Sequence, residues 1–471
     1  MTSRILILLG NFIYLHQKIN PKKTMKKKLL LLSTLLTAVF FVSCSSDNSG
    51  DTPPPVVAQP LPITISAASS EFLIPGENLE ITGTNFVNKD YPTKIFINNT
   101  AITPKEISNT KIILTVPTDL TTGTNTLKLQ INSLNSSPIS FFTMAKGWNK
   151  LTLLGNVDIQ SSSALESSNT IFSYINSITS NDGSFSGAAA KLAVTPRGYE
   201  LVRINQSGNY GDFKMVDEKT GVLTNTGAAF FTDNVFETHK KVNVDLSFSP
   251  AINGLKVGYL DSKICILTTS ISGQIYTTDK GSTIIKNDPP IWAAKVGTGG
   301  TSISARLGIS AYGKSVSDNK FYQLGVLYDP KKYGSNNLKN AILQSETGYN
   351  NWIVKDTISK QVDSKIYPNT YKFANINRIF GINKTDNTLM ASTDMLQTWN
   401  VVKTNVTAFF LRTDTQWYIQ SGDKLFVTKD SGATWQVELE LPAGSVVNDI
   451  AFSKTKIIVS GNKGLHYVKF E

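Results

Sequence analysis

Two segments near the end of the chain align without gaps at a spacing of 40 residues, and this repeat constrains the fold more than any other feature. Residues 415–427 read TQWYIQSGDKLFV, and residues 455–467 read TKIIVSGNKGLHY. Each copy contains an apolar strand-like run, a polar turn and a second run, which is typical of a β-hairpin. No convincing amphipathic helix is found from residue 147 to residue 471. The repeat therefore predicts an all-β region made of similar sheets.

The repeated unit also carries a turn motif. Residues 428–435 read TKDSGATW and residues 392–399 read STDMLQTW. Weaker echoes occur at 277–283 (TTDKGST) and at 345–348 (SETG, followed by Trp352). These segments resemble the Asp-box, or BNR motif, Ser-x-Asp-x-Gly-x-Thr-Trp, although Leu396 stands where glycine is expected. The resemblance implies that residues 147–471 form an Asp-box-type β-propeller of about seven blades of roughly 40 to 45 residues.

Physical chemistry gives each residue of this motif a structural role. The aspartate accepts backbone N–H groups in a tight turn, the glycine takes a left-handed conformation, and the tryptophan packs against the next sheet. In Asp-box propellers such turns lie at the blade periphery, away from the ligand face. The residues expected to build them are Asp279, Gly281, Asp394, Trp399, Asp430, Gly432 and Trp435.

Short apolar runs separated by turn residues also fill residues 61–145, a spacing typical of a β-sandwich. Within them, residues 75–77 read PGE, residues 79–86 read LEITGTNF and residues 113–117 read ILTVP. These motifs resemble the IPT/TIG domain, which has an immunoglobulin-like fold. The glycines fit positions that need a positive φ, and Phe86 is expected to fill the core. The resemblance implies a spacer or scaffold, with direct ligand binding as the alternative.

An export signal begins at Met25, the expected true start of the chain, and a longer leader that includes residues 1–24 is the alternative. Three lysines precede an apolar run, Leu29 to Val42, that is short for a membrane span. The run ends in FVSC, with Cys44 last. This ending resembles the lipobox of bacterial lipoproteins, and an ordinary secretory signal is the alternative. The resemblance implies that residues 1–43 are a leader and that lipid on Cys44 anchors the protein.

The residues after Cys44 predict how the anchored protein is displayed. Residues 44–60 are rich in Ser, Asp, Gly and Pro and are predicted to form a disordered tether. Ser45 favours the outer membrane by the usual rule for such lipoproteins. Orientation toward the periplasm or toward the cell surface stays open.

The charge of the chain excludes one class of partner. The formal net charge is +11, but seven of the 46 Lys and Arg residues lie in the leader, which has no acidic residue. Without the leader, 39 basic residues face 35 acidic ones, a net charge of +4. That balance is ordinary for a protein surface, so we expect no nucleic-acid partner.

Cysteine and histidine are scarce. Apart from Cys44, the one cysteine is Cys265, which lies in an apolar run and is expected to be a small buried hydrophobe. With only three histidines in the chain, we predict no histidine-rich metal site and no cofactor.

The sequence shows no recognisable catalytic motif. A sialidase needs three arginines on the substrate carboxylate, and none of the five arginines after the leader stands in such a motif. Other glycosidases need two facing carboxylates, whereas Asp217 and Glu218 are adjacent and sit in a turn-like segment. The candidate ligand-binding residues are exposed aromatics, namely Trp292, Tyr333 and Tyr349, for which ordinary packing is the alternative.

These observations favour a non-catalytic cell-envelope lipoprotein whose propeller recognises a protein or a polysaccharide. A divergent glycoside hydrolase with the same propeller is one alternative, and an assembly factor for a membrane complex is another. The hydrolase requires two carboxylates within roughly 10 Å of each other on the axial face of the ring, beside an aromatic platform.

Overall fold

A computed structural model of the chain describes residues 59–151, 157–177, 187–195, 198–207, 211–225, 227–243, 255–268, 274–287, 311–327, 339–358, 366 and 370–471. These residues form strands and turns, with no α-helix among them. Among the described residues, no helix is long and apolar enough to cross a bilayer. The all-β fold class is confirmed.

The first domain is a sandwich of two sheets. Its strands are β1 (Thr64–Ala68), β2 (Phe72–Leu73), β3 (Asn78–Thr84), β4 (Thr93–Ile97), β5 (Thr100–Ile102), β6 (Glu106–Ile107), β7 (Lys111–Thr115), β8 (Gly123–Ile131), β9 (Leu134–Asn135) and β10 (Ile139–Thr143). One sheet has the order β1-β3-β7-β6, and the other has the order β2-β10-β8-β4-β5, with β9 beside β8. Alternate residues of both sheets, such as Leu79 and Ile81 of β3, meet in one buried core.

The corner at residues 83–86 corrects one expectation about glycine. Gly83 does not have a positive φ, but a Cβ atom there would lie 2.0 Å from the carbonyl oxygen of Thr64 and 2.5 Å from Cζ of Phe86. The positive φ, 61°, belongs to Asn85, whose side-chain amide donates to the carbonyl oxygen of Pro62 at 2.8 Å. Phe86 is fully buried. Close packing, rather than backbone conformation, therefore requires glycine at residue 83.

The second region forms seven four-stranded sheets within the described residues. Blades 1 to 3 contain β12 (Asp158–Ala164), β13 (Ile171–Ser177), β14 (Gly187–Thr195) and β15 (Gly198–Ser207); β16 (Phe213–Met215), β17 (Gly221–Thr224), β18 (Ala228–Thr232) and β19 (Lys240–Asn243); and β20 (Lys256–Leu260), β21 (Cys265–Thr268), β22 (Gln274–Thr277) and β23 (Ile285–Asn287).

Blades 4 to 6 contain β24 (Ala311–Lys314), β25 (Phe321–Leu327), β26 (Lys339–Ser345) and β27 (Ile353–Ile358); β28 (Lys372–Asn375), β29 (Arg378–Asn383), β30 (Thr388–Ser392) and β31 (Asn400–Lys403); and β32 (Ala408–Leu411), β33 (Trp417–Ser421), β34 (Lys424–Thr428) and β35 (Gln436–Glu440). Blade 7 contains β36 (Val447–Phe452), β37 (Lys456–Gly461), β38 (His466–Phe470) and, as its outermost strand, β11 (Gly147–Lys150).

The seven sheets close into a ring. The first strand of each blade contacts the first strand of the next blade, and β12 of blade 1 contacts β36 of blade 7. The first strands therefore surround the axis. The outermost strand of blade 7, β11, pairs antiparallel with β38, with Gly147 opposite Phe470. The ring is a propeller of seven blades whose last blade is completed by the strand that follows the first domain.

Apolar side chains fill the space between neighbouring blades. Trp417 of blade 6 is fully buried, with its ring centroid 4.8 Å from that of Phe380 in blade 5. The repeat seen in the sequence falls on the second and third strands of blades 6 and 7, where Ile457 takes the place of Trp417 and is also fully buried. The repeat thus reflects packing demands that recur from blade to blade.

Strand direction gives the ring two sides. Because the strands of each blade alternate in direction, the connections from first to second strand and from third to fourth strand lie on one side. We call this the near side. The first strands begin toward the opposite side, the far side.

The first domain contacts the near side of the ring at blades 1 and 7. Phe72 is buried in a cluster with Ile171 of blade 1 and Phe470 of blade 7. Asn169, which lies between the first and second strands of blade 1, donates to Oε2 of Glu77 at 2.9 Å. Such a shared apolar core with polar contacts around it holds the first domain against the ring.

Candidate functional site

Three of the residues singled out by the sequence lie outside the described residues. They are the lipidation candidate Cys44 and two of the candidate binding aromatics, Trp292 and Tyr333. Their roles stay predictions.

The turn after the third strand of blade 6 is held by a compact set of hydrogen bonds. The hydroxyl of Thr428 donates to Oδ1 of Asp430 at 2.7 Å and accepts the N–H of Gly432 at 2.8 Å. Asp430 accepts the hydroxyl and the backbone N–H of Thr434, at 2.6 and 2.9 Å. These two bonds lower the pKa of Asp430 to about 2. The carboxylate is therefore used to hold the turn.

Blades 3 and 5 contain equivalent turns. Asp279 and Asp394 accept bonds from the residues four positions later, and these bonds lower the pKa of each carboxyl to about 2. Gly281 has a φ of 79° and Gly432 a φ of 92°, whereas Leu396 takes the same left-handed conformation at 69° without being glycine. All of these turns lie on the near side, in the connection from third to fourth strand.

The tryptophans that close two of these turns pack against neighbouring rings. Nε1 of Trp435 donates to the carbonyl oxygen of Gly432 at 3.1 Å, and its ring centroid lies 6.5 Å from that of Trp417. Trp399 lies 6.0 Å from Tyr371 between their centroids. Both rings thus contribute to blade packing.

Blade 2 contains the same turn without aspartate or glycine, and sequence reasoning missed it. Oδ1 of Asn234 accepts the hydroxyl of Thr232 at 3.1 Å and the N–H of Thr238 at 3.0 Å, and Nδ2 donates to the hydroxyl of Thr238 at 2.8 Å. Phe236 occupies the glycine position with a φ of 63°. The spacing Thr-x-Asn-x-Phe-x-Thr is the signal that could have identified this turn.

The third candidate aromatic, Tyr349, lies in the near-side connection between the third and fourth strands of blade 4. Its ring stacks on Tyr276 of blade 3, with centroids 4.3 Å apart and ring planes 29° apart. One face of the Tyr349 ring therefore packs against the neighbouring blade, in agreement with ordinary packing, the alternative to ligand binding for this residue.

Charged residues from four blades converge on the axis of the ring. We call Asp212, Lys214, Lys256, Lys372 and Asp449 the axial cluster. Lys256 and Lys372 are the first residues of β20 and β28, so they lie toward the far side. Lys372, in blade 5, is close enough to charges in blades 2, 3 and 7 for them to change its pKa. None of those blades is next to blade 5, so these groups meet across the axis.

The two carboxylates of the axial cluster join first strands of neighbouring blades. Oδ2 of Asp212 accepts the N–H of Val257 at 3.1 Å, and Oδ1 accepts the hydroxyl of Ser161 at 3.3 Å. Oδ2 of Asp449 accepts the N–H of Ser162 at 3.2 Å. Blades 1, 2, 3 and 7 are therefore connected close to the axis.

Burial shifts the pKa values of two groups in the axial cluster, Lys372 and Asp449. Burial lowers the pKa of Lys372, Asp449 opposes that shift, and Lys214 and Lys256 add to it. Burial raises the pKa of Asp449, while Lys214 and the N–H of Ser162 act in the opposite direction. Charge is therefore costly at Lys372 and Asp449, the two members of the axial cluster whose pKa values burial shifts.

A serine–histidine cluster between blades 1 and 7 resembles a catalytic arrangement only in its residue types. Ser162 lies 2.8 Å from Ser173 and 2.6 Å from Ser460 between hydroxyl oxygens, and Nε2 of His466 lies 3.2 Å from Ser173. All four residues are buried, and His466 is fully so. A substrate cannot reach a nucleophile there, so the cluster is structural.

Cys265 behaves as a small buried hydrophobe. Burial raises the pKa of its thiol to about 12, so it is not a reactive thiolate. The cleft that it lines between blades 2 and 3 has about 20 Å³ of free volume, room for a single water molecule. Across the described part of the chain, no group of three or more His, Cys, Asp or Glu residues is placed to hold a metal ion.

Comparison with known families identifies the first domain. The family model described as the IPT/TIG domain matches residues 53–143, which confirms that this segment is an IPT/TIG domain. The search of curated proteins gave no match.

Among solved structures, the chain is similar to YCF48 bound to D1 peptide, with 13% identity and a TM-score of 0.44 over 69% of this chain and 97% of that one. It is also similar to a structural genomics protein of unknown function from Bacteroides thetaiotaomicron, with 12% identity and a TM-score of 0.35 over 89% and 99% of the two chains. A third is an auxiliary nutrient binding protein from the same organism, with 11% identity and a TM-score of 0.32 over 87% and 98%. Similarity this distant does not indicate what the present chain binds.

Proposed function

We propose that this chain is an exported, lipid-anchored recognition protein of the outer membrane, in which an IPT/TIG domain carries a propeller that binds a protein or a polysaccharide without catalysis. The observation that carries the proposal is that the IPT/TIG domain and the axial cluster lie toward opposite sides of the ring. The IPT/TIG domain packs on the near side, through Phe72 and Asn169, and the axial cluster lies toward the far side.

A lipid on Cys44 would attach the chain to the membrane at a point that precedes the IPT/TIG domain in the sequence. The tether of residues 44–60 leads directly into that domain, and the buried contact of Phe72 holds the ring in one orientation relative to it. More than one acyl chain on Cys44 would make such anchoring firm, because one chain alone binds a bilayer only marginally.

Labelling with radioactive palmitate tests the anchor. The full chain is expected to incorporate label and to fractionate with the outer membrane, and C44S to do neither. C265S is the matched control and should label like the wild type. Equal labelling of C44S and the wild type would contradict the anchor.

Capture from detergent-solubilised envelopes tests recognition. The full chain, immobilised through its C-terminus, is expected to retain a specific protein or polysaccharide. Mass spectrometry and sugar analysis of the eluate distinguish the two, and subunits of one membrane complex would favour an assembly role. Failure to retain either class would contradict the proposal.

One observation favours the glycoside hydrolase as a second candidate. Asp212 and Asp449 both belong to the axial cluster, and the charge of Asp212 contributes to the raised pKa of Asp449, as expected for a general acid beside a second carboxylate. Against it, both carboxylates accept backbone N–H bonds from neighbouring blades. Hydrolysis of fluorogenic glycosides by the wild type and its loss in D449N would support this candidate.

A further inference from the structure

We propose that the axial cluster is a binding site for an oxyanion, a carboxylate or phosphate group of the ligand, held by Lys214, Lys256 and Lys372. This inference rests on the proposed recognition function and names the chemistry of the group recognised. Three observations carry it: the positions of the lysines on first strands around the axis, the absence of a hydrogen-bond or ion-pair partner for them among the described residues, and the engagement of the nearby carboxylates.

The lysines lie on three of the first strands that surround the axis. Lys214 lies on β16, Lys256 on β20 and Lys372 on β28, the first strands of blades 2, 3 and 5. Lys214 and Lys256 each lower the pKa of Lys372, and Lys214 also lowers the pKa of Asp449. In each case the two groups belong to blades that are not neighbours. An ion on the axis would therefore be approached by ammonium groups from several directions, which suits a small anion.

The three ammonium groups have no direct partner in the part of the chain that the structure describes. No hydrogen bond or ion pair joins the Nζ atoms of Lys214, Lys256 and Lys372 to another described residue, whereas other lysines, such as Lys191 and Lys469, form ion pairs at 2.8 and 2.5 Å. Like charges held close together without partners repel each other. A bound anion would relieve that repulsion and supply the missing acceptors.

The two carboxylates of the axial cluster do not supply the acceptors that these ammonium groups lack. Asp212 uses both oxygens on groups of blades 1 and 3, and Asp449 accepts the N–H of Ser162. Three lysines against two carboxylates leave the axial cluster with one positive charge in excess. A cation is therefore disfavoured on the axis, and an oxyanion is favoured.

Protonation gives the site a pH dependence with a defined sign. The titratable groups that influence Lys372 are Asp449, Lys214 and Lys256, and burial lowers its pKa from the ordinary value. A bound anion stabilises the ammonium form and raises that pKa, so binding takes up protons as the pH approaches it. Affinity is therefore expected to fall as the pH rises through the pKa of Lys372.

Titration calorimetry on the full chain in detergent tests the site with two probes, inorganic phosphate and galacturonate. The wild type is expected to bind at least one of them, with an affinity that decreases with salt. K214M and K372M should each weaken binding by about tenfold or more, and K372R should retain it. The probe that binds distinguishes a phosphate group from a carboxylate group.

Two further variants keep the test decisive. K263M removes an exposed lysine on the near side of blade 3 and should bind like the wild type. Lys256 is exposed, so K256M should fold normally even if K372M does not, and it should also bind more weakly. The inference is wrong if the wild type binds neither probe or if K263M weakens binding as much as the axial variants do. If the axial variants lose probe binding but still capture the macromolecular ligand, recognition stands and the axial site is not where that ligand binds.

Discussion

The hydroxyl oxygen of Ser162, on the first strand of blade 1, lies 2.6 Å from the hydroxyl oxygen of Ser460, on the second strand of blade 7. This hydrogen bond crosses the seam where the ring closes. Ser173 lies 2.8 Å from Ser162 on the other side, and all three serines are buried. Because a buried hydroxyl without a partner is costly, the serines favour one arrangement of the two blades.

Removing the hydroxyl of Ser460 is expected to weaken the seam. S460A should lower the free energy of unfolding by about 1 kcal/mol, since Ser162 keeps Ser173 as a partner. S460V should cost more, about 1 to 3 kcal/mol, because added methyl groups overpack a buried site. Denaturant titration of the full chain measures both. S262A, at an exposed serine on the near side, is the control, and an S460V as stable as S262A would contradict the prediction.

The buried histidine at the same seam makes stability depend on pH. Burial lowers the pKa of His466 to about 3, and no described group accepts a bond from its Nδ1 atom. The unfolded chain therefore binds a proton near pH 6.5 that the folded chain does not bind. Stability from this group is complete above pH 6.5 and is lost as the pH falls toward 3, by up to about 4 kcal/mol.

Melting temperature measured between pH 7 and pH 4 checks this prediction. H466Q should flatten the profile over that range, whatever its stability at pH 7. His239 is exposed, so H239Q should keep the wild-type profile. Parallel profiles for H466Q and the wild type would mean that His466 does not titrate as its burial indicates.

The fold was accessible from the sequence because its signals are local. The hairpin repeat at residues 415–427 and 455–467 reports packing within one blade and recurs in the next. The motifs at residues 75–86 lie within a single corner of the IPT/TIG domain, so a short stretch of sequence was enough to recognise it. In both cases the residues that interact are close in the chain.

The axial cluster was not accessible in the same way. Its members run from Asp212 to Asp449 and come from four blades, and only closure of the ring brings those blades together. The turn at Asn234 was missed for a different reason, since an amide replaces the carboxylate and Phe236 replaces glycine while the hydrogen bonds persist. The expectation that a glycine marks a position with a positive φ fails at Gly83. Glycine is required there because Thr64 and Phe86 crowd the position where a Cβ atom would lie.

The turn at Asn234 is expected to accept aspartate but not alanine. In N234D the hydroxyl of Thr238 can reverse its role and donate to the carboxylate, as Thr434 does to Asp430 in blade 6. N234D should therefore match or exceed wild-type stability, whereas N234A should lose about 1 kcal/mol or more. Thermal unfolding measures both. D233A, one residue earlier and exposed, is the control, and equal losses in N234D and N234A would contradict the shared hydrogen-bond pattern.

Two glycines of blade 6 separate backbone strain from steric crowding. Gly432 has a φ of 92° and Gly422 a φ of 57°, so alanine at either position adopts a left-handed conformation at a cost of about 1 kcal/mol. At Gly432 the new Cβ would also lie 2.9 Å from Cζ3 of the buried Trp417, whereas at Gly422 nothing lies within 4 Å. G432A should therefore destabilise the protein by about 1 kcal/mol more than G422A, because Trp417 must shift within a packed interface. Denaturant titration of the two variants gives this difference, and tryptophan fluorescence should change in G432A alone. If both variants lose the same stability and keep the wild-type spectrum, the near-side turn does not press on Trp417 as described.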